Sequence, residues 1–431
     1  MNSIDESCDE IRLTSFILDR LRGHFHFAGT PGLEVSMLLP VDVPATNQEL
    51  VMNGKGLAEF VQVVPGDPGV VPGEAVVESS GELCPSAVAF LLLCGGLSFR
   101  SEGEIHPLKT LAYPNGGQTT LLDLQMDRMA KSPFKKSVCF VVATPLNEAA
   151  LSSHLAGQRS ETGPRLYTGG LAPRLSPNQC NSGPPSVVRD SFGRISYNPV
   201  GHLEALRWFV LSGALAQVAD CDVAILISYS NWGKVFTNKT LDFSNLLKKS
   251  AECDPNLLFL VEVVPRSHEK RTGSMLVAPR DNRTDFKLVK YGYAQGRPAS
   301  PAIGDILMST NTWHVSVPNL LRRLQGFSHL IGLAGERAAL VDLLNDAARG
   351  RQRSKLSDLF EYSFPAGPQL IPTLVNGNLS FLRAERDLDQ LSLISGPPLI
   401  RVVQVKPDRA ISLKVPADFE NPANRKLLFE S

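Results

Sequence analysis

The sequence predicts an α/β fold: a mixed, mainly parallel sheet flanked by helices, with a small β-rich C-terminal domain. Three observations lead there. Four apolar runs, Ala87–Leu93, Val138–Ala143, Val223–Ile227 and Leu257–Val264, lack the alternation of a half-exposed strand. Such runs are expected where both faces of a strand are covered. Helical patterns separate them, as in α/β proteins. From Leu370 onward, runs such as LIRVVQV and AISLKV are of β type.

Leu13, Ile17, Leu21 and Phe25 fall on one stripe and predict a first helix. A Gly/Pro-rich passage, VVPGDPGVVPGE, leads from it toward the core, so residues 1–85 read as a helical and irregular segment. The α/β domain spans 86–335. Within it, Thr120 and Asp123 make a capping-box start for a helix carrying Leu121, Leu124, Met126 and Met129. The stretch from about 157 to 200 is rich in Gly, Pro, Ser and Asn and predicts a long loop. After Gly201, the positions Leu203, Leu206, Val210 and Ala214 recur at helical spacing. Residues 336–431 read as a helical connection, near 336–360, and the β-rich C-terminal domain.

A chain of 431 residues is long enough for a large core and an appendage. Its 43% hydrophobic and 20% charged residues are those of a globular protein. Lys plus Arg equals Asp plus Glu, 43 of each, so net charge points to neither nucleic acid nor an acidic surface. Seven cysteines without a CxxC pair favour buried free thiols over disulfides or zinc. The acidic N-terminus, MNSIDESCDEIRL, does not read as a secretory signal. No apolar run approaches the ~18 residues of a membrane span. A cytoplasmic location, with no membrane or nucleic-acid partner, is therefore expected. The oligomeric state is not legible.

The chemistry lies at strand ends. Gly95-Gly96 closes the first apolar run, and a backbone without Cβ atoms can approach a ligand or form an anion-binding nest. Arg100 and Lys109 follow as cations suited to phosphate oxygens. The stretch is neither a Walker A loop nor a GxGxxG fingerprint, and a lone glycine pair is more often a tight turn. Gly201-His202 opens a helix, whose unpaired N–H groups suit a phosphate or sugar hydroxyl. In isolation, a histidine there is an ordinary cap. Asn311, in ILMSTNTWHVSV, could donate to and accept from sugar hydroxyls at once, or simply make a turn.

Taken in order, these stretches resemble the UDP-glucose pyrophosphorylase type of sugar-1-phosphate nucleotidyltransferases. Five segments between about residues 88 and 320 carry the resemblance: LLLCGGLSFR with the later Pro-x-Lys and TLLDL, NPVGHLE with SGAL, SYSNWG with TLDF, VEVVPR, and STNTWHV. The resemblance implies a Rossmann-like (glycosyltransferase A-like) sheet. It implies an NTP, by default UTP, and a sugar-1-phosphate as substrates. Glucose-1-phosphate is the default, with an unusual sugar or cyclitol phosphate left open. It places Gly95, Gly96, Gly201, His202 and Asn231 at the nucleotide, Lys109 and Arg100 at the reacting phosphates, and Asn311 and Glu262 toward the sugar. It also implies Mg2+. Where the family has the aspartate that helps hold this ion, the chain has Ser230, which leaves the metal ligands unknown with Asp242 as a candidate. Ser98-Phe99 replaces a Gly-Thr, Leu108 separates Pro107 from Lys109, and Glu204 stands for an aspartate. The alternative is a catalytically degenerate regulatory module that binds a nucleotide or nucleotide-sugar.

Overall fold

The uninterrupted apolar runs become strands buried on both faces. The computed structural model describes residues 60–76, 87–95, 106–113, 116–134, 137–145, 147–156, 164–175, 188, 193, 196–199, 201–228, 237–266, 274–290, 306–366, 369–375, 378–393, 398–409 and 419–429. The N-terminal helix expected around Leu13–Phe25 lies outside them.

Among the described residues the strands run β1 (Phe60–Gln62), β2 (Val71–Pro72), β3 (Val88–Leu93), β4 (Thr110–Ala112), β5 (Gln118–Thr120), β6 (Ser137–Ala143), β7 (Arg165–Thr168), β8 (Leu171–Leu175) and β9 (Tyr197–Pro199). Then come β10 (Val223–Ser228), β11 (Phe259–Arg266), β12 (Ser274–Pro279), β13 (Lys287–Lys290), β14 (Ile306–Ser316), β15 (Gln369–Val375), β16 (Asn378–Glu385) and β17 (Ile400–Gln404). The helices are α1 (Leu121–Ala130), α2 (Glu148–Ala156), α3 (His202–Leu211), α4 (Ala214–Gln217), α5 (Asn238–Cys253), α6 (Val317–Phe327), α7 (Arg337–Ala348), α8 (Arg353–Ser363) and α9 (Pro422–Phe429).

The central sheet follows the order β2-β17-β11-β14-β10-β3-β6-β7, with β1, β12 and β13 attached beside β14. Every pair along that order is parallel except those made by β14, which runs antiparallel between β10 and β11. Side chains on successive residues point to opposite faces. Ala89, Leu91 and Leu93 of β3 accordingly join one core, with Leu203 and Leu206 of α3, Leu320 of α6, Leu344 of α7 and Leu359 of α8. Val88, Phe90 and Leu92 join the other, with Leu122 of α1, Leu151 of α2 and Leu247 of α5. A layer of helices on each side is what the absence of alternation demands.

Local signals hold where they were strongest. Thr120 caps α1: its Oγ1 accepts from the Asp123 N–H at 3.0 Å and donates to the Asp123 carboxylate at 2.8 Å. The stripe after Gly201 is buried throughout, and the helix breaks at Gly213, which takes a left-handed φ of 75°. A Cβ at Gly213 would sit 2.7 Å from the backbone of Ala348, so the break lets the end of α7 pack closely.

Two expectations are redrawn. The stretch read as a long loop contains β7, an edge strand of the central sheet, and β8 and β9. The expected C-terminal strands divide. The hairpin β15–β16 pairs with β8 to make a second, four-stranded sheet, while β17 returns to the central sheet between β11 and β2. Strand composition specifies that a segment pairs, and not with which neighbour.

Candidate functional site

Ligands of open α/β sheets sit beyond the carboxyl ends of the parallel strands. At that edge β3 ends in Cys94 and Gly95, tied to the end of β6. The Thr144 hydroxyl donates to the Gly95 carbonyl at 2.8 Å, and the Asn147 amide donates to the Cys94 carbonyl at 2.7 Å. A Cβ on Gly95 would lie 2.7 Å from the Thr144 methyl. Close packing against the neighbouring strand end thus explains this glycine without a ligand. Gly96, Arg100, Ser230 and Asn231 lie outside the described residues. Burial pushes the Cys139 thiol up to about 12 and raises Cys94 as well, so neither is a thiolate nucleophile near neutral pH.

β14 carries the least ordinary backbone at this edge. Val261 of β11 pairs with Trp313 and Val263 with Ser309, so Glu262 faces three residues, Thr310, Asn311 and Thr312. Such a bulge redirects side chains at a sheet's working end. Its apex is Asn311, at φ 60°, a left-handed conformation that asparagine adopts more readily than most residues. The bulge's own side chains satisfy its N–H groups: the Asn311 N–H donates to the Ser309 hydroxyl and that of Thr312 to the Thr310 hydroxyl. The Asn311 Oδ1 is buried with no hydrogen-bond partner among the described residues. Thr312 pairs with Ile227, which sets the apex beside the carboxyl end of β10.

Glu262, expected on the sugar side, is fully enclosed by protein. Arg409 donates to both of its carboxylate oxygens at 2.6 Å, and the His314 Nε2 lies 2.9 Å from Oε1. Burial pushes this carboxyl up, but the charge and hydrogen bonds of Arg409, with those of His314, outweigh it and hold the group at about 2. Arg409 also stacks 5.1 Å from the centre of Phe243 and bonds Thr240 of α5. Both oxygens are committed inside the sheet, directly opposite the bulge.

Gly201 takes φ 95°, and a Cβ there would lie 2.7 Å from the Asp387 carboxylate. The first N–H groups of α3 are already used. That of His202 donates to Asp387 Oδ1 at 3.1 Å, and that of Leu203 to the Arg386 carbonyl at 2.9 Å. The anion slot expected at this helix start is therefore filled by the chain's own aspartate, which satisfies the partial positive charge. Glu204 joins a buried network in which Arg207 and Arg386 each bridge it to Glu361 of α8. Asn198, just before this helix, is 2% exposed, and its Oδ1 also lacks a partner among the described residues.

Lys109 follows a single turn of 3-10 helix, His106–Leu108, and its ammonium lies 4.4 Å from the centre of the Phe419 ring. It lines a cleft of about 200 Å³ with Thr110, Phe419, Glu420, Arg425 and Phe429. None of the other candidates lines that cleft. Asp242 sits on α5, 4% exposed, with its carboxylate 3.7 Å from Lys239. Among the described residues no group of three His, Cys, Asp or Glu side chains could hold a metal ion. No described helix is long and apolar enough to cross a membrane.

Sequence reasoning missed Arg409, His314, Arg386 and Asp387. The site groups they hold, the Glu262 and Glu204 carboxylates and the His202 N–H, lie 52 to 185 residues away from them along the chain, beyond the reach of any local motif.

No protein-family model matches the sequence, and no curated protein sequence matches it. Solved structures do match in fold. A mutant UDP-glucose pyrophosphorylase of Leishmania major in complex with UDP-glucose is 12% identical, covering 97% of this chain and 79% of its own, with a TM-score of 0.55. The UDP-glucose phosphorylase of Trypanosoma brucei is 13% identical over 97% of this chain and 75% of its own, also at 0.55. The uridine diphosphate N-acetylglucosamine pyrophosphorylase of Trypanosoma brucei, in complex with an inhibitor, is 12% identical over 97% and 84%, at 0.53. The chain shares its fold with these nucleotide-sugar pyrophosphorylases.

Proposed function

We propose that this chain, built on the fold of the UDP-sugar pyrophosphorylases, is a sugar-1-phosphate nucleotidyltransferase. The observation that carries the reading is Asn311. A left-handed residue with a buried, unpartnered carbonyl beside the carboxyl end of a central strand is the sort of orphan that a bound hydroxyl would satisfy. The order of the strand-end motifs in the sequence supports it further.

In this reading a phosphate oxygen of the sugar-1-phosphate attacks the α-phosphorus of an NTP. The new P–O bond forms as the bond to the bridging oxygen of the β-phosphate breaks, and pyrophosphate leaves with that electron pair. UTP and glucose-1-phosphate are the default pair. No protein nucleophile is required, only alignment and neutralisation of charge. Lys109 and Arg100 supply that charge. Gly95, Gly96 and Asn231 lie along the nucleotide, His202 orients it, and Asn311 receives the sugar. Glu262, its two oxygens bonded by Arg409 opposite the bulge, serves the fold of that strand end rather than touching substrate. Mg2+ would accompany the NTP and supply charge neutralisation at its phosphates, with Asp242 as the candidate protein ligand.

Incubating the protein with each of four NTPs, Mg2+ and a panel of sugar-1-phosphates, while following pyrophosphate release, tests the reading. Release with one pair, and a loss of well over twofold in Lys109→Ala, is the expected result. A second reading, a regulatory module that binds a nucleotide without turning it over, is favoured by the Asp387 carboxylate already seated at the start of α3. Measurable nucleotide binding with no pyrophosphate from any pair would select it.

A further inference from the structure

At the start of α3 the sequence expects hydrogen-bond donors, and the structure leaves an acceptor. The N–H groups of His202 and Leu203 are spent on the Asp387 carboxylate and the Arg386 carbonyl. What remains beside them is Asn198 of β9, 2% exposed, whose Oδ1 has no hydrogen-bond partner among the described residues. Its Nδ2 donates to the Pro199 carbonyl at 2.8 Å, which holds the amide beside the residue that leads into Gly201 and α3. That bond also fixes which end of the amide is the oxygen, because the opposite orientation would set oxygen against oxygen.

A run of pairings joins Asn198 to the working edge of the central sheet. The Gly169 N–H, just past β7, donates to the Ala143 carbonyl at the end of β6 at 2.8 Å. β8 begins at Leu171, which pairs with Pro199, and Ala172 pairs with Asn198. Thr144, next along from Ala143, holds the Gly95 carbonyl at the end of β3. A buried carbonyl without a donor is costly to fold around, and native proteins keep few of them. An apolar side chain of like size would carry no such cost.

We infer that Asn198 is a specificity-determining contact of the substrate site, accepting through Oδ1 from an uncharged donor: a hydroxyl or ring N–H of the nucleoside, or a hydroxyl of the sugar. The inference rests on the reading of the chain as a nucleotidyltransferase. Both sources offer the same chemistry, a neutral O–H or N–H. A phosphate offers no such donor, and the Asp387 carboxylate at His202 repels it. An acceptor also discriminates, since a ligand with a lone pair at that position leaves two acceptors face to face.

Calorimetric titration of the full-length protein tests this. Each of four NTPs and a panel of sugar-1-phosphates is titrated in turn, and the tightest of each class is compared with analogues that lack one donor. For UTP these are the N3-methyl, 2′-deoxy and 3′-deoxy forms, and for glucose-1-phosphate the monodeoxy forms. One analogue is expected to bind wild type about three- to tenfold more weakly than its parent. Asn198→Leu, which removes the acceptor at nearly constant volume, should weaken the parent by the same factor and that analogue not at all. Asn198→Ala repeats the comparison with a side chain too small to disturb β9. A nucleoside analogue behaving this way assigns the contact to the NTP, and a sugar analogue assigns it to the sugar phosphate. Equal weakening of every ligand, or of none, overturns the contact and leaves the nucleotidyltransferase reading to pyrophosphate release. The expected pattern in a protein that releases no pyrophosphate keeps the contact and overturns the transferase reading. A wild-type protein that binds no NTP and no sugar phosphate overturns both.

Discussion

Replacing Arg409 by leucine leaves the carboxylate of Glu262 enclosed with His314 as its remaining described partner, and the cost follows from the geometry. Both oxygens accept from the guanidinium at 2.6 Å in a site with no solvent exposure. Breaking a buried pair from one side costs about 3–5 kcal/mol. The titration of the group gives an independent figure. A carboxyl held at about 2 rather than its usual 4.5 contributes about 3 kcal/mol to folding. Because the folded-state value is depressed, that contribution is complete above pH 4.5 and fades as the pH falls toward 2. Urea unfolding of wild type and Arg409→Leu should therefore differ by about 3 kcal/mol near neutral pH. The difference should shrink as the pH falls, beginning above pH 4.5, because without Arg409 burial pushes the Glu262 carboxyl of the variant up and lets it protonate first. The doubly apolar Glu262→Met/Arg409→Leu should be more stable than either single variant, since neither charge is left stranded. A single-variant cost under about 1 kcal/mol, a difference independent of pH, or an additive double variant would each refute the reasoning.

Other outcomes are as definite. Gly201→Ala combines a left-handed φ of 95° with a Cβ 2.7 Å from the Asp387 carboxylate. It should lower the urea unfolding free energy by more than Gly66→Ala, which has φ 89° but open space around it. The shared backbone strain is worth about 1–3 kcal/mol. Asn311→Gly keeps the φ of 60° accessible and should change stability by less than about 1 kcal/mol. Losing the side-chain amide should raise KM for the sugar phosphate about tenfold. Asn311→Val, which resists that φ, should instead lower the unfolding free energy by about 1–3 kcal/mol. The two variants together separate the backbone role from the contact, and an Asn311→Gly enzyme with wild-type KM would remove Asn311 from the sugar site.

The sequence was most informative where a structure is set by its neighbours in the chain. The apolar runs around Phe90, Phe140, Ile225 and Leu260 became central strands because their cause, burial on two faces, is written in each run itself. The Thr120 cap was legible because donor and acceptor are three residues apart. Strand direction is different. Nothing in ILMSTNTWHVSV says that β14 runs against β10 and β11, and only the chain's path between them decides it. The site follows the same division. Gly201 was recognisable as a residue at a helix start, but the Asp387 that occupies that start arrives from 185 residues away. Glu262 looked available because Arg409 belongs to a turn with no motif of its own.

The insertion of β17 between β2 and β11 also sets an order of events on the ribosome. Val71 and Pro72 leave the exit tunnel early and meet their partners Val403 and Gln404 roughly 330 residues later, about 15–65 s at ordinary rates of translation. From its own synthesis until β17 follows about 140 residues later, the flank of β11 that will receive β17 exposes unpaired backbone, the kind of edge that invites pairing with another chain. In the half of the sheet around β3, β6 and β10, pairing begins earlier, since β6 follows its partner β3 by only 49 residues. Nascent chains halted before Ile400 should therefore protect that half from protease while remaining dependent on chaperones. Emergence of β17 should close the other half in a single step.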